Sequence, residues 1–319
     1  MTASPDDSAN DVLRVVSVSL GSSKRSKMVE TELLGRRVRM ERISVEGDAQ
    51  QARELIAELD GHVAAIGLGG TDLYLVAGNR RYVIEQSRRL AEAAETTPVV
   101  DGSGLKNTLE RETIRWLAEE GGFELRGKRV LVVSAVDRFG MAEGFAAQGS
   151  DTIFGDLIFA LHLPIPVRTL RSIRVLAALL LPILRRCPIS MLYPTGKEQE
   201  QSKPKYGRFF AWAEIIAGDF LFMLRHLPQR LDGKMIVTNT TTPEDVELLR
   251  ARGLSTLVTT TPELEGRSFG TNVWEGVLVA LAGKRPEDLQ PEDYLDLLRR
   301  IGWQPRVTHL QTAAATPSR

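Results

Sequence analysis

The sequence has few of the residues on which disulfide-bonded proteins and metal sites depend. It contains one cysteine, Cys187, in 319 residues, which excludes an internal disulfide and is typical of a reducing cytoplasm. The four histidines are scattered, and no metal-ligand spacing or Ser/His/Asp order emerges. We therefore expect a cytoplasmic protein without a bound metal.

The sequence also lacks net charge and long apolar runs. Basic and acidic residues number 41 each, so no global field favours nucleic acid or a membrane. Residues 1–11 contain no apolar segment of a signal peptide. The longest apolar run, Val175 to Leu184, contains Pro182 and is too short to span a bilayer. The expected partner is a small-molecule substrate, and a homo-oligomer remains open.

Strand-like and helix-like segments alternate almost throughout the chain. They include a predicted hairpin of Val29–Leu34 and Val38–Ile43 around Gly35, an amphipathic helix at Ala49–Leu59, and a helix at Pro243–Arg252 with Thr242 as its N-cap. This pattern predicts an α/β protein of two domains, with a doubly wound, mostly parallel, Rossmann-like sheet in the second half. Gly127 and Lys128 mark the predicted boundary between a substrate domain at 12–126 and a Rossmann-like domain at 127–308. Residues 1–11 and 309–319 are predicted to be disordered tails.

The stretch from Lys128 to Asp156 predicts a strand, a loop, a helix and a second strand. In a dinucleotide-binding unit the helix N-terminus holds the pyrophosphate, and an acid about 20 residues on binds the ribose. Asp156 has the position of that acid. The motif G-x-G-x-x-G is missing, so a nicotinamide cofactor, another phosphate ligand and no ligand all remain open. At a dinucleotide site Asp156 would repel a 2′-phosphate and favour NAD over NADP.

Polar residues follow strand after strand, where open α/β sheets bind their ligands. We expect Asp219, Asn239 and Thr261 to share one edge of the second sheet. The candidate cofactor-binding residues are Ser134, Asp137, Arg138, Gly140, Asp156, Asn239 and Thr240. The candidate substrate-binding residues are Gly69, Gly70, Asp72, Ser103, Thr271 and Asn272.

The segment VVDGSGLKNTLER contains the candidate catalytic residues Asp101, Lys106 and Asn107. Lys106 falls in the first turn of a predicted helix, where the helix dipole disfavours a cation. One interpretation is a Lys106/Asp101 pair that passes a proton to or from a substrate hydroxyl. The other is a solvated lysine at the start of a helix.

Two further loops have alternative interpretations. In GRSFGTNVWEG, Thr271 is either the N-cap of the following helix or part of an anion site at its N-terminus. Tyr193 and Lys197 have the Tyr-x-x-x-Lys spacing of short-chain dehydrogenases, but Pro194 and Gly196 argue against the helix that this motif requires.

Several phrases of the sequence resemble a bacterial family usually labelled quinate 5-dehydrogenase. They are GLGGTDLY, VVDGSGLKNTLER, VSAVDRFGMAE, FGDLIFAL, MLYPTGKEQE, IIAGDF and TTTPELEGRSFGTNV. The resemblance covers roughly Val12 to Val307. It implies a Lys/Asp pair in an N-terminal domain, supplied here by Lys106 and Asp101, and a Rossmann domain after it. The chain lacks the glycine-rich loop and the usual substrate-domain motifs of the shikimate and quinate dehydrogenases.

Two functions are therefore expected as alternatives. The first is an oxidoreductase that moves a hydride between NAD(P), with NAD favoured, and a quinate- or shikimate-like cyclic alcohol. The second is a non-redox Rossmann-like enzyme, such as a transferase, or a binding protein for a phosphorylated or nucleotide ligand.

Overall fold

The computed structural model describes residues 12–23, 26–77, 80–186, 205–264 and 267–310. The strands, in chain order, are β1 (Leu13–Ser19), β2 (Lys27–Leu33), β3 (Arg36–Ser44), β4 (Ala65–Gly69), β5 (Tyr74–Ala77), β6 (Arg80–Val83), β7 (Val99–Val100), β8 (Arg129–Val132), β9 (Asp151–Phe154), β10 (Ile215–Ala217), β11 (Met235–Thr238), β12 (Thr256–Thr259), β13 (Glu263–Leu264), β14 (Arg267–Ser268) and β15 (Arg306–His309). The helices are α1 (Ala49–Leu59), α2 (Glu85–Ala91), α3 (Ser103–Glu119), α4 (Phe139–Ala147), α5 (Asp156–Phe159), α6 (Leu170–Leu184), α7 (Gly207–Trp212), α8 (Phe220–Leu224), α9 (Pro243–Ala251), α10 (Thr271–Ala282) and α11 (Pro291–Arg300).

The chain forms two compact units, and neither is one continuous stretch. The first is formed by the described residues within 1–108, 179–199 and 269–303, and the second by those within 109–178, 200–268 and 304–319. This division differs from the predicted boundary at Gly127 and Lys128. The cause is that α10 returns to pack against β1 and β4 of the first unit, whereas β15 pairs with β12 of the second.

The first unit is built on a sheet of order β2-β3-β1-β4-β7. β1 runs parallel to β3 and β4, and β7 runs parallel to β4. β2 and β3 form the antiparallel hairpin that the sequence predicted on either side of Gly35. Val16 and Val18 of β1 alternate with polar residues and pack on one face against Ile56 of α1.

The second unit is built on a sheet of order β15-β12-β11-β10-β8-β9, parallel except for β15. Leu131 of β8 packs with Phe210 of α7 in one core cluster, and its neighbour Val132 packs with Phe145 of α4 in another. Because each face of the sheet has its own core, the predicted doubly wound α/β fold is confirmed. The strand order is the flavodoxin-like variant, in which the order reverses between the first and third strands, here β8 and β10.

Several local predictions were correct. Helix α9 begins at Pro243 after Thr242, whose hydroxyl accepts from the Asp245 N–H in a capping box. Helix α1 spans the predicted residues from Ala49 to Leu59.

Other local predictions were wrong or incomplete. Thr271 is the first residue of α10, and Gly270 is its N-cap, because the Thr271 backbone is already helical. The hairpin β5–β6 and helix α11 were not predicted from the sequence. The predicted C-terminal tail from 309 begins too early, since His309 lies in β15, and the remaining tail residues, 1–11 and 311–319, lie outside the described residues. In the described ranges, none of the helices combines the length and apolarity needed to cross a bilayer.

Candidate functional site

The first unit brings most of the predicted catalytic and substrate residues to one sheet edge. β1, β4 and β7 are neighbours and parallel, so their carboxyl ends meet at that edge. Gly69 ends β4, Gly70 and Asp72 follow it, and Asp101 follows β7. Ser103, Lys106 and Asn107 then lie in the first turns of α3. Ligands of open α/β sheets bind at such edges.

Lys106 and Asp72 form an ion pair at this edge. The distance from Lys106 Nζ to Asp72 Oδ1 is 3.1 Å, and the side chains are only 7% and 13% exposed. The interpretation of Lys106 as a solvated lysine is therefore wrong. Burying a lysine is costly unless the charge is paired, and the attraction within the pair strengthens as water is excluded. The pair places a proton donor and an acceptor side by side, as acid–base chemistry requires.

Asp101 is not the partner of Lys106. Its Oδ2 accepts hydrogen bonds from the N–H groups of Leu73 at 2.5 Å and Tyr74 at 3.0 Å, and its Oδ1 accepts from Ser103 N–H at 3.0 Å. The carboxylate thus joins the loop that carries Asp72 to the start of the helix that carries Lys106. Asp101 positions the pair rather than belonging to it.

A second carboxyl group lies behind the turn between Asp101 and α3. Glu275 of α10 accepts from Gly102 N–H at 2.6 Å, and Tyr294 Oη donates to its other oxygen at 3.2 Å. Gly102 has a φ of +95°, and a Cβ on Gly104 would overlap the Glu275 carboxylate, so the turn needs glycine at both positions. Burial raises the pKa of Glu275 to about 8, and the charge of Asp101 adds to this rise.

The predicted substrate residues of α10 contact the sheet. Asn272 Nδ2 donates to Ser17 Oγ in β1 at 2.7 Å. A Cβ on Gly67 would lie 3.0 Å from the same amide nitrogen, so this glycine gives Asn272 room. Asn272 and Thr271 thus stand near the strands of the first sheet, and a role for them in substrate binding remains a prediction.

In the second unit, the buried carboxylate of Asp156 contacts the main chain of a neighbouring loop. Its carboxylate accepts from the N–H groups of Ala135 at 3.0 Å and Val136 at 2.9 Å, in the loop that follows β8. Burial raises the pKa of Asp156 to about 6, although these two hydrogen bonds oppose the shift. Both oxygens are used to hold the loop, so this geometry does not fit the predicted role of binding a ribose.

Arg138 is the centre of a buried charge network near the same loop. Its guanidinium donates to Glu110 Oε1 at 2.7 Å, Asp219 Oδ2 at 2.8 Å and Asp137 Oδ2 at 3.0 Å. The side chains of Arg138 and Glu110 are 6% and 1% exposed. Burial lowers the pKa of Arg138, but the three carboxylates outweigh it and hold the pKa well above its ordinary value.

The residues predicted to meet at one edge of the second sheet do so. Asn239 Nδ2 donates to Asp219 Oδ2 at 2.8 Å, and Thr261 Oγ1 donates to the Asn239 carbonyl at 3.0 Å. Thr240 follows Asn239 directly, and Ser134 and Gly140 flank the loop of Asp137 and Arg138. The predicted placement of Asp219, Asn239 and Thr261 at one sheet edge is confirmed.

This edge does not fit a dinucleotide. A pyrophosphate at this edge needs main-chain N–H donors in the loop after β8. The N–H groups of Ala135 and Val136 in this loop are already hydrogen-bonded to Asp156. Around Arg138, three carboxylates outnumber one guanidinium, so the local field opposes an anionic ligand. Within the described parts of the chain, no group of three or more His, Cys, Asp or Glu side chains is placed to hold a metal ion.

The contacts of two acids in the first unit were not predicted from the sequence. Asp72 was predicted as a substrate ligand rather than as the partner of Lys106, because sequence proximity favoured Asp101. Glu275 was not predicted at all, although a single acid in the apolar stretch from Val273 to Ala282 is an unusual signal. The predicted loop at Tyr193 and Lys197, like Cys187, lies outside the described residues.

Two family models together match most of the sequence. The model described as "Domain of unknown function (DUF8754)" matches residues 104–310. The model described as "Domain of unknown function (DUF8753)" matches residues 14–101. No curated protein matches the sequence.

Solved structures with similarity to the chain belong to different functional classes. They include hetero-hexameric glutamate dehydrogenase from Thermus thermophilus in its Leu-bound form (13% identity, 91% of this chain and 74% of that chain, TM-score 0.42). They also include a glucose-galactose binding protein from Geobacillus stearothermophilus (9% identity, 94% and 98%, TM-score 0.37) and NAD-dependent malic enzyme from Thermotoga maritima (11% identity, 90% and 83%, TM-score 0.34). At these TM-scores the similarities carry no argument about function.

Proposed function

Because the chain belongs to the family described as a domain of unknown function, DUF8754, we propose its function from its own residues. The proposed function is an enzyme that moves a proton to or from a hydroxyl group of a small hydroxylated substrate. The substrate binds at the carboxyl edge of the first sheet, next to Lys106 and Asp72.

The buried Lys106–Asp72 pair is the observation that carries this proposal. Lys106 takes the proton of the substrate hydroxyl as its ammonium passes a proton to the Asp72 carboxylate, and in the reverse direction the two transfers run backwards. Asp72 accepts a hydrogen bond from Lys106 Nζ and fixes the direction in which the amine points. Proton transfer by a positioned side chain contributes roughly 10²–10⁴-fold to a rate.

The surrounding hydrogen bonds support the same role. A catalytic group is effective only when its position is held, and Asp101 fixes both segments that carry the pair. Ser103 is buried at the start of α3 and adds a hydroxyl close to Lys106 in sequence. Small and polar residues dominate this edge, which suits a small, hydroxylated molecule.

The resemblance to the family labelled quinate 5-dehydrogenase suggests oxidation of a quinate- or shikimate-like cyclic alcohol as the reaction. The proton step assigned to Lys106 is one half of that reaction. The other half requires a hydride acceptor, which a nicotinamide would supply. Since the second sheet edge does not fit a dinucleotide, we derive no step through this cofactor.

A non-redox reaction on the same kind of substrate is the second candidate. It is favoured by Asp156, whose carboxylate occupies the main-chain donors that a cofactor phosphate would need. Proton transfer at a hydroxyl serves elimination or group transfer as well as oxidation, so the Lys106–Asp72 pair is compatible with both candidates.

Incubation of the purified chain with a panel of cyclic hydroxy acids, followed by proton NMR, tests the proposal. Each substrate is offered alone, with NAD and with NADP. Consumption of a substrate by the wild type and not by Lys106→Met supports proton transfer at this site. Equal consumption by both proteins would refute it. Consumption that requires NAD or NADP identifies a dehydrogenase, whereas consumption without either identifies the non-redox alternative.

A further inference from the structure

Glu275 is a buried acid for which the proposed reaction has no direct use. It lies in α10 among apolar neighbours such as Trp274 and Val277 and is 3% exposed. An ionisable group in such a place costs free energy, so its position calls for a reason.

The contacts of Glu275 lead to the turn before α3. Gly102 N–H donates to Glu275 Oε2 at 2.6 Å, and Tyr294 Oη of α11 donates to Oε1 at 3.2 Å. Gly104 approaches the carboxylate so closely that no side chain fits there. Two residues after Gly104 comes Lys106, so a shift of this turn moves the first turn of α3.

The charged and titratable groups around Glu275 come from several elements. Asp101 stands on the same turn and raises the pKa of Glu275 by charge repulsion, after the larger effect of burial. Tyr294 faces it from α11, and its pKa is raised by burial and then by the Glu275 charge. In the β5–β6 hairpin, burial and then the charge of Asp101 raise the pKa of Tyr74, and Glu275 and Glu287 add to this rise. The charge of Arg81 opposes the rise in the pKa of Tyr294. The resulting pKa of Glu275, about 8, lies within the working range of most enzymes.

We propose that Glu275 is a positioning residue whose protonation, together with its hydrogen bond to Tyr294, controls the turn that holds Lys106 against Asp72. This inference rests on the proposed function. When Glu275 is neutral, the turn has one full negative charge, on Asp101. When Glu275 ionises, two carboxylates lie on either side of the turn and repel each other, so the turn shifts and the Lys106–Asp72 geometry is lost.

The test compares the pH profiles of turnover for the wild type and Glu275→Gln, with the substrate found above. The wild type should lose turnover on the alkaline side as Glu275 ionises. Glu275→Gln should keep its turnover there, so that the alkaline limb moves up by at least about one pH unit or disappears. KM should change by less than about twofold, because Glu275 does not touch the substrate. Glu58→Gln, which alters an exposed acid of α1 in the same unit, is the matched control and should leave the limb in place.

Tyr294→Phe keeps the test decisive if Glu275→Gln folds poorly. This variant removes the phenol hydroxyl that stabilises the ionised carboxylate, so the alkaline limb should move to higher pH by a smaller amount. An unchanged limb in the variant that folds would overturn the inference.

A measurement without substrate separates this inference from the proposed function. A raised folded-state pKa means that the unfolded chain releases its proton first as the pH rises. The melting temperature of the wild type should therefore fall between about pH 5 and pH 9 more steeply than that of Glu275→Gln. Equal slopes would refute the inference even if Lys106 is essential. An active Lys106→Met would refute the proposed function, while the slopes would still report whether Glu275 titrates.

Discussion

The carboxyl edges of the two sheets each contain a buried cation, but the two cations are suited to different tasks. Lys106 pairs with Asp72 at the edge of the first sheet. Arg138 is surrounded by Glu110, Asp137 and Asp219 in the second unit. A lysine can release its proton when its surroundings change, whereas a guanidinium stays charged in proteins. The first edge therefore has the cation that suits the proposed proton transfer, and the second has one that suits permanent electrostatic bridging.

The two edges share one structural device. In each unit an aspartate that follows a strand turns its carboxylate towards main-chain N–H groups. Asp101 holds Leu73, Tyr74 and Ser103, and Asp156 holds Ala135 and Val136. In both units, an aspartate after a strand thus fixes the main chain of a neighbouring segment. The two units differ in the charged groups beside these aspartates. Asp101 holds the segments that carry the Lys106–Asp72 pair, which is proposed to transfer a proton, whereas Asp156 holds the loop next to the fixed charge network of Arg138.

The largest effect is expected from Lys106→Met. Turnover should fall by roughly 10²–10⁴-fold, because the substrate hydroxyl loses its proton acceptor. Lys106 is buried, so its replacement should also lower the free energy of unfolding by about 3 kcal/mol, because Asp72 loses the charge that forms its ion pair. The double variant Asp72→Asn with Lys106→Met should recover stability and not turnover. Recovery of both would mean that the pair is only structural.

In the second unit, Arg138→Met should act on stability. Glu110 and its neighbouring carboxylates would lose their guanidinium, and leaving buried charge without its partner costs about 3–5 kcal/mol. Urea unfolding measures this loss. Arg174→Met, at an exposed ion pair of the same unit, should change stability by less than about 0.5 kcal/mol. Similar losses in the two variants would mean that the buried network of Arg138 contributes no more to stability than an exposed ion pair.

Asp156→Asn should flatten the pH dependence of stability. The pKa of Asp156 is raised in the folded chain from 3.8 to about 6, so the unfolded chain loses this proton first. Wild-type stability should therefore fall as the pH rises from about 4 to about 6, by up to about 3 kcal/mol for a shift of about two pKa units. The asparagine variant should lack this fall. Asp151→Asn, at an exposed position of β9, should retain it, and a fall that persists in Asp156→Asn would show that another group causes it.

The smallest effects are expected at two helix N-caps, one in each unit. Asp48 accepts from the N–H groups of Gln50 and Gln51 at the start of α1, and Thr242 caps α9. Asp48→Ala and Thr242→Ala should each cost about 1 kcal/mol in the free energy of unfolding. Neither should change turnover. A loss of turnover in Asp48→Ala would mean that the geometry at Lys106 and Asp72 depends on the capping of α1.

Local patterns in the sequence determined the secondary structure and the edges where polar residues gather. The hairpin around Gly35, the capped helix after Thr242 and the shared edge of Asp219, Asn239 and Thr261 follow from short-range chemistry. The alternation of side chains along a strand, the capping of a helix and the position of a loop after a strand each depend on a few neighbouring residues. They can therefore be predicted from short stretches of the sequence.

Tertiary structure alone decided which polar groups pair. Asp101 is closer to Lys106 in sequence than Asp72 is, but main-chain N–H groups from two loops capture its carboxylate. Glu275 reaches Gly102 from a helix 173 positions away in the sequence. Burial decides the charge state and partners of such groups, because it sets the cost of leaving a charge or a hydrogen bond unmet. That cost depends on the packed surroundings of each side chain, which no short stretch of the sequence contains.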